Sequence, residues 1–201
     1  MRIGFGELGL TVSAECVVLG LGNPGEEYER TRHNIGFQVV ESLARRVGIA
    51  LTGRRWASLH GQGLCAGKPT ALVLPQTFMN RSGEALDSLF EDYPEFDPSR
   101  RLIAVYDDLD LPCGQMRLRA SGGAGGQKGM ASLIQSAGSE SIPRLRFGIG
   151  RPPEGQGVTE FVLGPFSPEE VALLPRCIGK ATEALEHFVE FGIDSAMNHF
   201  N

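Results

Sequence analysis

Apolar runs of strand length alternate with helix-like segments along the chain, and this alternation limits the possible folds more than any other feature. Residues 16–21 and 102–106 form strand-like apolar runs, whereas residues 34–47 carry apolar side chains at helical spacing. Strands that alternate with helices favour an α/β sheet. A glycine-rich hairpin predicted near residues 58–68 adds an antiparallel pairing. We therefore predict an α/β fold whose twisted, mixed, largely parallel sheet is flanked by helices.

Length and composition are those of one folded unit. The chain has 201 residues, of which 41% are hydrophobic, and domains usually hold about 100 to 200 residues. No internal repeat and no linker-like stretch divides the sequence, and the glycine-rich segment at residues 122–129 is short enough to be a loop. A single domain is expected.

The sequence lacks the features of membrane and secreted proteins. No apolar run approaches the roughly 20 residues of a membrane helix, and the N-terminus lacks the basic start and apolar stretch of a secretory signal. The four cysteines form no Cys-x-x-Cys pair, so neither a zinc site nor a disulfide framework is predicted. These observations predict a soluble cytoplasmic protein that binds no metal and makes no membrane contact.

Charge is distributed unevenly along the sequence. The formal net charge is −5, yet residues 115–151 hold six basic residues against Glu140 alone, a local charge of +5, so the remainder carries −10. A basic segment on an acidic body is typical of a protein that binds an anionic ligand at one place. The six basic residues are Arg117, Arg119, Lys128, Arg144, Arg146 and Arg151.

The segment VVLGLGNPGEEYERTRHNIGF, residues 17–37, contains the Gly-x-Gly-x-x-Gly pattern of dinucleotide-binding turns. In such a turn, free amides at the start of a helix face the pyrophosphate. Here Pro24 removes one amide, and Glu26 and Glu27 place negative charge where the phosphates would lie. The segment is better explained as a tight turn at the carboxyl end of a strand, and a dinucleotide-dependent enzyme is disfavoured.

Polar side chains follow three predicted strands at their carboxyl ends, where open α/β sheets bind their ligands. Asn23 follows the first strand, and His33 stands just before the predicted helix. Asn80 and Asp107 follow two later strands. A histidine titrates near neutrality and suits a general base, a carboxylate can hold its tautomer, and amides can bind an acyl group. These side chains therefore predict a site for acyl chemistry.

Five motifs extend this pattern from about residue 16 to the C-terminus. They are GLGNPGEEYERTRHNIGF, LPQTFMNRSGEAL, YDDLDLPCGQMRLR, SGGAGGQKGM and PRLRFGIGRP. In this order they resemble the bacterial type of peptidyl-tRNA hydrolase. The resemblance implies hydrolysis of the ester between a peptide and the 3′-terminal ribose of tRNA, recycling of that tRNA, and no cofactor. It also implies that residues 1–14 are an N-terminal extension and residues 15–201 the catalytic domain.

The resemblance implies a role for each motif residue. His33 would be the base that activates water, and Asp107 would orient it. The residues implied to bind the peptide or the 3′ end of the substrate are Asn23, Tyr28, Met79, Asn80 and Lys128. The implied contacts to acceptor-stem phosphates are Arg117, Arg119 and Arg146. We expect peptidyl-tRNA to be the partner of a monomer that needs no other protein.

The glycine loop departs from the family pattern. It usually reads Gly-Gly-His-Asn-Gly, and here Gln127 and Lys128 replace the histidine and the asparagine. Lysine cannot accept a hydrogen bond, but it can bind a phosphate or stabilise an oxyanion, so we expect altered affinity and retained activity. The departure keeps a second hypothesis open, a non-catalytic RNA-binding relative of the same fold. The intact set of His33, Asp107, Asn23 and Asn80 counts against it.

Overall fold

The computed structural model describes residues 14–201. The N-terminal extension predicted at residues 1–14 lies outside the described residues except for Ala14. The strands are β1 Cys16–Gly20, β2 Gly53–Arg55, β3 Ser58–Cys65, β4 Lys68–Pro75, β5 Leu102–Asp108, β6 Met116–Arg119 and β7 Arg144–Gly148. The α-helices are α1 Ile35–Val47, α2 Gly83–Asp92, α3 Pro98–Arg101, α4 Lys128–Ala137, α5 Val158–Val162, α6 Pro168–Phe191 and α7 Ile193–Phe200. Short 3-10 turns cover Arg32–Asn34 and Met79–Arg81.

The strands form one sheet in the order β2-β3-β4-β1-β5-β7-β6. The central strands β4, β1, β5 and β7 run parallel to one another. The pairings of β2 with β3, β3 with β4 and β6 with β7 are antiparallel. The predicted mixed sheet is confirmed. Its parallel pairings are confined to the centre and make up three of the six described. Two tight hairpins add β3 and β2 at one edge, and β6 pairs antiparallel with β7 at the other.

Both faces of the sheet are buried. Along β1, Val18 packs with α1 and α6, whereas Val17 and Leu19 pack with α2 and α4 on the opposite face. This period of two explains why the central strands are apolar throughout and show no polar alternation. Each such side chain, fully buried, contributes about 1.5 to 3 kcal/mol. The helices therefore hold the sheet from both sides and leave its strand ends free to carry loops.

Gly36 lets α1 begin directly against the carboxyl ends of β1 and β5. A Cβ atom at this position would lie 2.4 Å from the Val105 carbonyl oxygen and 2.5 Å from the Leu21 carbonyl oxygen. Both are backbone atoms inside the sheet and cannot move aside. A Gly36→Ala change would therefore push α1, and the turn that carries His33, away from the strand ends.

The turn after β1 is not a dinucleotide-binding turn. Helix α1 begins at Ile35, ten residues beyond Gly25. The helix amides that would face a pyrophosphate are therefore remote from the glycine pattern, as expected from Pro24 and the two glutamates.

Most elements lie within a few residues of their predicted positions. A capping box starts helix α6: Ser167 Oγ accepts the Glu170 N–H, and Glu170 Oε2 accepts the Ser167 N–H. Periodicity did not indicate β2, α3, α5 and α7, which are eight residues long or shorter. Within residues 14–201, no helix has the length and apolar character needed to cross a membrane.

Candidate active site

A cleft of about 1150 Å³ lies at the carboxyl ends of the neighbouring strands β4, β1 and β5. The loops that follow these strands bring the polar side chains of three separate motifs together. The predicted site residues that line the cleft are Asn23, His33, Met79, Asn80, Asp107, Arg119, Lys128 and Arg146. Tyr28 and Arg117 are not among the lining residues. The sequence thus located the cleft, although two of the residues assigned to it lie elsewhere.

His33 and Asp107 form a hydrogen-bonded pair in this cleft. His33 Nδ1 lies 2.8 Å from Asp107 Oδ2, and the two side chains are 14% and 4% exposed. An ionised carboxylate can only accept, so Nδ1 is the donor and Nε2 carries the free lone pair. The pair therefore presents one basic nitrogen for contact with water or substrate.

Asn23 is held by three hydrogen bonds. Its N–H donates to Asn34 Oδ1 and its carbonyl accepts from Asn34 Nδ2, both at 2.9 Å. Its side-chain Oδ1 accepts from the Met79 N–H at 2.8 Å. Within the described residues Asn23 Nδ2 makes no hydrogen bond, so this donor is free for a ligand. Sequence reasoning missed Asn34, whose signal was a polar residue at a buried position at the start of an amphipathic helix.

Asn80 differs from Asn23 in its surroundings. Asn80 is exposed, and its side chain makes no hydrogen bond within the described part of the chain. Beside it, Met79 is only 4% exposed, while Phe78 is 56% exposed on the rim of the cleft. Met79 thus supports Asn23 from beneath, whereas Asn80 and Phe78 are open to a ligand.

The glycine loop and α4 close another side of the cleft. Gly126 has a φ of +84°, a left-handed conformation that favours glycine. The next residue, Gln127, donates from Nε2 to Asp107 Oδ1 at 3.1 Å, so both carboxylate oxygens of Asp107 are engaged. Lys128 is the first residue of α4 and is exposed. Sequence reasoning considered Gln127 only as a departure from a pattern and did not predict this contact.

No group of three or more His, Cys, Asp or Glu side chains within residues 14–201 is arranged to hold a metal ion. Two aspartates at and just beyond the end of β5 have basic partners: Asp108 binds Arg146, and Asp110 binds Arg151. The predicted site residues at the cleft include an imidazole, a carboxylate and two carboxamides.

Comparison with known proteins decides the family. Residues 17–201 match the family described as peptidyl-tRNA hydrolase. Two curated relatives named peptidyl-tRNA hydrolase come from Chloroflexus aggregans, 46% identical, and a Roseiflexus species, 49% identical. Each alignment covers 92% of this chain, with 98% of the first relative and 85% of the second. The chain belongs to the peptidyl-tRNA hydrolase family.

The fold agrees with that of solved family members. The crystal structure of peptidyl-tRNA hydrolase from Acinetobacter baumannii matches with a TM-score of 0.85 and 35% identity, over 92% of this chain and 94% of that one. Members of the peptidyl-tRNA hydrolase family are carboxylic ester hydrolases. These comparisons do not support the non-catalytic alternative.

The basic residues of this peptidyl-tRNA hydrolase family member have different surroundings. Arg144 is 2% exposed, and its guanidinium donates to the carbonyls of Gly123, Glu140 and Ile142. It therefore supports the glycine loop from inside. Arg146 is paired with Asp108. Arg119 lines the cleft and donates to the Leu118 carbonyl at 3.1 Å.

The pKa shifts near the cleft follow from burial and pairing. Burial raises the pKa of Tyr106, and the neighbouring Arg144 opposes this only in part. Burial lowers the pKa of Arg146, but the hydrogen bond to Asp108 and the nearby acidic groups of Asp108, Tyr106 and Asp110 together outweigh that effect, and the net direction is upward. Tyr106 therefore stays a neutral hydroxyl and Arg146 a fixed cation in the working range of a histidine base.

Arg32 joins the turn that carries His33 to the far wall of the cleft. Its guanidinium binds Glu170 Oε2 at 2.7 Å, donates to the Pro165 carbonyl, and lies 4.2 Å from the centre of the Phe161 ring. Phe161 belongs to α5, whose Val158 lines the cleft. The residue before His33 thus positions a wall that sequence reasoning did not assign.

Proposed function

We propose that this protein hydrolyses the ester that joins a peptide to the 3′-terminal ribose of tRNA, with His33 as the general base. The observation that carries the proposal is the His33–Asp107 hydrogen bond of 2.8 Å, which leaves one imidazole nitrogen free in a cleft lined by amides. Such an ester is already activated relative to an amide. A positioned water and a base worth about 10² to 10⁴ in rate are then sufficient, without a covalent nucleophile.

In this mechanism His33 Nε2 takes a proton from water as the water oxygen attacks the ester carbonyl carbon. Asp107 holds the imidazole in the required tautomer and stabilises the imidazolium as it forms. The imidazolium then returns its proton to the departing ribose oxygen. The products are a peptide carboxylate and a tRNA with a free 3′ hydroxyl.

The amides of the cleft supply recognition and charge stabilisation. Asn23 Nδ2 makes no hydrogen bond within residues 14–201, so it is the group that donates to a carbonyl oxygen of the peptide. Asn80, exposed on the cleft, is placed to bind the acyl group or the developing oxyanion. Met79 acts through its backbone N–H, which holds Asn23, and Lys128 offers a cation near the cleft mouth.

We assign binding of the tRNA part of the substrate to the basic residues. Arg119 and Lys128 line the cleft and have no carboxylate partner within residues 14–201, so they are the first candidates for acceptor-stem phosphates. Arg146 is paired with Asp108, so it would contact a phosphate while it keeps that ion pair. Tyr28 and Arg117 lie off the cleft lining, which suits contacts with tRNA further from the ester.

The proposal extends to the compartment, the oligomeric state and the partners of the protein. The protein is proposed to work in the cytoplasm as a monomer, without a cofactor, an obligate protein partner or a membrane contact, and to recycle tRNA from prematurely released peptidyl-tRNA. Residues 15–201 are proposed as the catalytic domain. Four free cysteines are consistent with a reducing compartment.

A direct test compares two esters of one tRNA, one with an N-acetylated aminoacyl group and one with the free amine. The protein is expected to release the N-acetyl amino acid and intact tRNA, to leave the free-amine ester largely uncleaved, and to work equally well with a chelator. Bound but uncleaved N-acetyl ester would contradict the proposal.

A further inference from the structure

Gln127 uses both ends of its side-chain amide in the cleft. Its Oε1 accepts from the Met130 N–H at 2.7 Å and so caps the first turn of α4. Its Nε2 donates to Asp107 Oδ1 at 3.1 Å and lies 3.2 Å from Met79 Sδ. One side chain thus connects the start of a helix to the carboxylate that holds His33.

These contacts determine which way the amide of Gln127 faces. The Met130 N–H can only donate, so it requires the oxygen end of the amide. The nitrogen end must then face Asp107, whose carboxylate can only accept. Helix α4 thereby orients the Gln127 Nε2 donor towards Asp107. The Asp107 carboxylate accepts a hydrogen bond from His33 at Oδ2 and another from Gln127 at Oδ1.

We propose that Gln127 is a positioning residue of the hydrolytic reaction: its amide fixes the Asp107 carboxylate and so sets the orientation and basicity of His33. This proposal rests on the proposed function. A neutral donor draws charge from the carboxylate and does not itself titrate.

Other charged groups line the same cleft as the pair. They are Asp108 on β5, Arg119 on β6, Lys128 on α4, Arg144 and Arg146 on β7, and Asp110 and Arg151 on the following loops. A variant that changes only the neutral Gln127 leaves all of these in place. A difference between its pH profile and that of the parent therefore reports the lost donor.

Two variants that have in common only the loss of the Gln127 Nε2 donor provide the test. Gln127→Ser removes the donor but supplies a preferred helix cap, whereas Gln127→Met removes the donor and keeps a side chain of similar length beside Met79. In both, kcat is expected to fall by about tenfold with KM within about twofold, because substrate contacts are retained. The acid limb of the pH–rate profile is expected to move to higher pH, since the carboxylate without its donor stabilises the imidazolium more strongly.

The proposal is overturned if either folded variant keeps the kcat and the pH profile of the parent. A change in melting temperature alone would mean that Gln127 is only a helix cap and would equally overturn it. Titration of the His33 imidazole by NMR in parent and variants applies the same test without turnover, so failure of the hydrolytic function and failure of the positioning role are distinguishable.

Discussion

The side-chain amide of Asn34 makes two hydrogen bonds with the backbone of Asn23. Asn34 Oδ1 accepts from the Asn23 N–H and Asn34 Nδ2 donates to the Asn23 carbonyl, each at 2.9 Å. Both residues are buried. We therefore expect Asn34→Asp, which keeps the acceptor and loses the donor, to lower stability by about 1 to 3 kcal/mol, because a buried carbonyl loses its partner. We also expect kcat/KM to fall by about tenfold or more as Asn23 loses its position.

Urea unfolding and steady-state kinetics measure both effects. Asn80→Ala is the matched control, because Asn80 is exposed and its side chain makes no hydrogen bond within the described residues. It is expected to raise KM with little change in stability. If Asn34→Asp has the stability and activity of the parent, Asn34 does not hold Asn23 in place for its proposed substrate contact.

The salt dependence of tRNA binding should identify the phosphate contacts. Each Lys or Arg that neutralises a phosphate contributes close to one unit to the slope of log K against log salt. Arg119→Gln and Lys128→Gln are each expected to reduce that slope by about one. Arg176→Gln, at an exposed position on α6 away from the cleft, is the control and should leave the slope unchanged. Equal slopes in all four proteins would remove both residues from the proposed tRNA contact.

Sequence reasoning located the centre of the site because backbone topology determined it. Asn23, Asn80 and Asp107 each follow or end a parallel strand, and parallel strands that neighbour one another place their carboxyl ends together. His33 reaches the same edge because α1 packs closely there through Gly36. This placement follows from the order of the strands in the sheet. The apolar runs of the sequence predict where those strands begin and end.

Sequence reasoning did not determine how side chains pair. Arg144 and Arg146 are two residues apart on β7, yet one is buried against the glycine loop and the other binds Asp108 on β5. Gln127 reaches Asp107 across twenty positions of sequence. These contacts depend on register between strands and on the direction of loops, which no local pattern specifies.

Arg32 should be sensitive even to a lysine. Its planar guanidinium binds Glu170, donates to the Pro165 carbonyl and stacks on Phe161 at once, which a lysine ammonium cannot reproduce. Arg32→Lys is expected to lower the free energy of unfolding by about 1 to 3 kcal/mol. The control, Arg46→Lys, changes a half-exposed pair with Glu186 and should cost about 0 to 1 kcal/mol. Denaturant unfolding measures the loss of stability in both variants. Equal losses in Arg32→Lys and Arg46→Lys would show that Arg32 stabilises the fold no more than a half-exposed ion pair does.

Alkaline stability should depend on Cys16. Burial, with a contribution from nearby Cys65, raises the pKa of the Cys16 thiol from 9.0 to about 12. A pKa raised in the folded state gives stability that is complete below pH 9 and is lost as pH rises towards 12. Between pH 8 and pH 10, the parent should lose about 1.4 kcal/mol more stability than Cys16→Ala, whose cavity cost is the same at both values. Urea unfolding at the two pH values measures this, and parallel losses would contradict it.

The most direct test of the hydrolytic mechanism is the single-turnover rate of peptide release from an N-acetylated aminoacyl-tRNA by the parent and by His33→Ala. His199→Ala, at an exposed histidine on α7, is the control. His33→Ala is expected to be slower by about 10² to 10⁴ while it still binds tRNA, and the control to match the parent. A folded His33→Ala protein that releases peptide at the parent rate would contradict the assignment of His33 as the base.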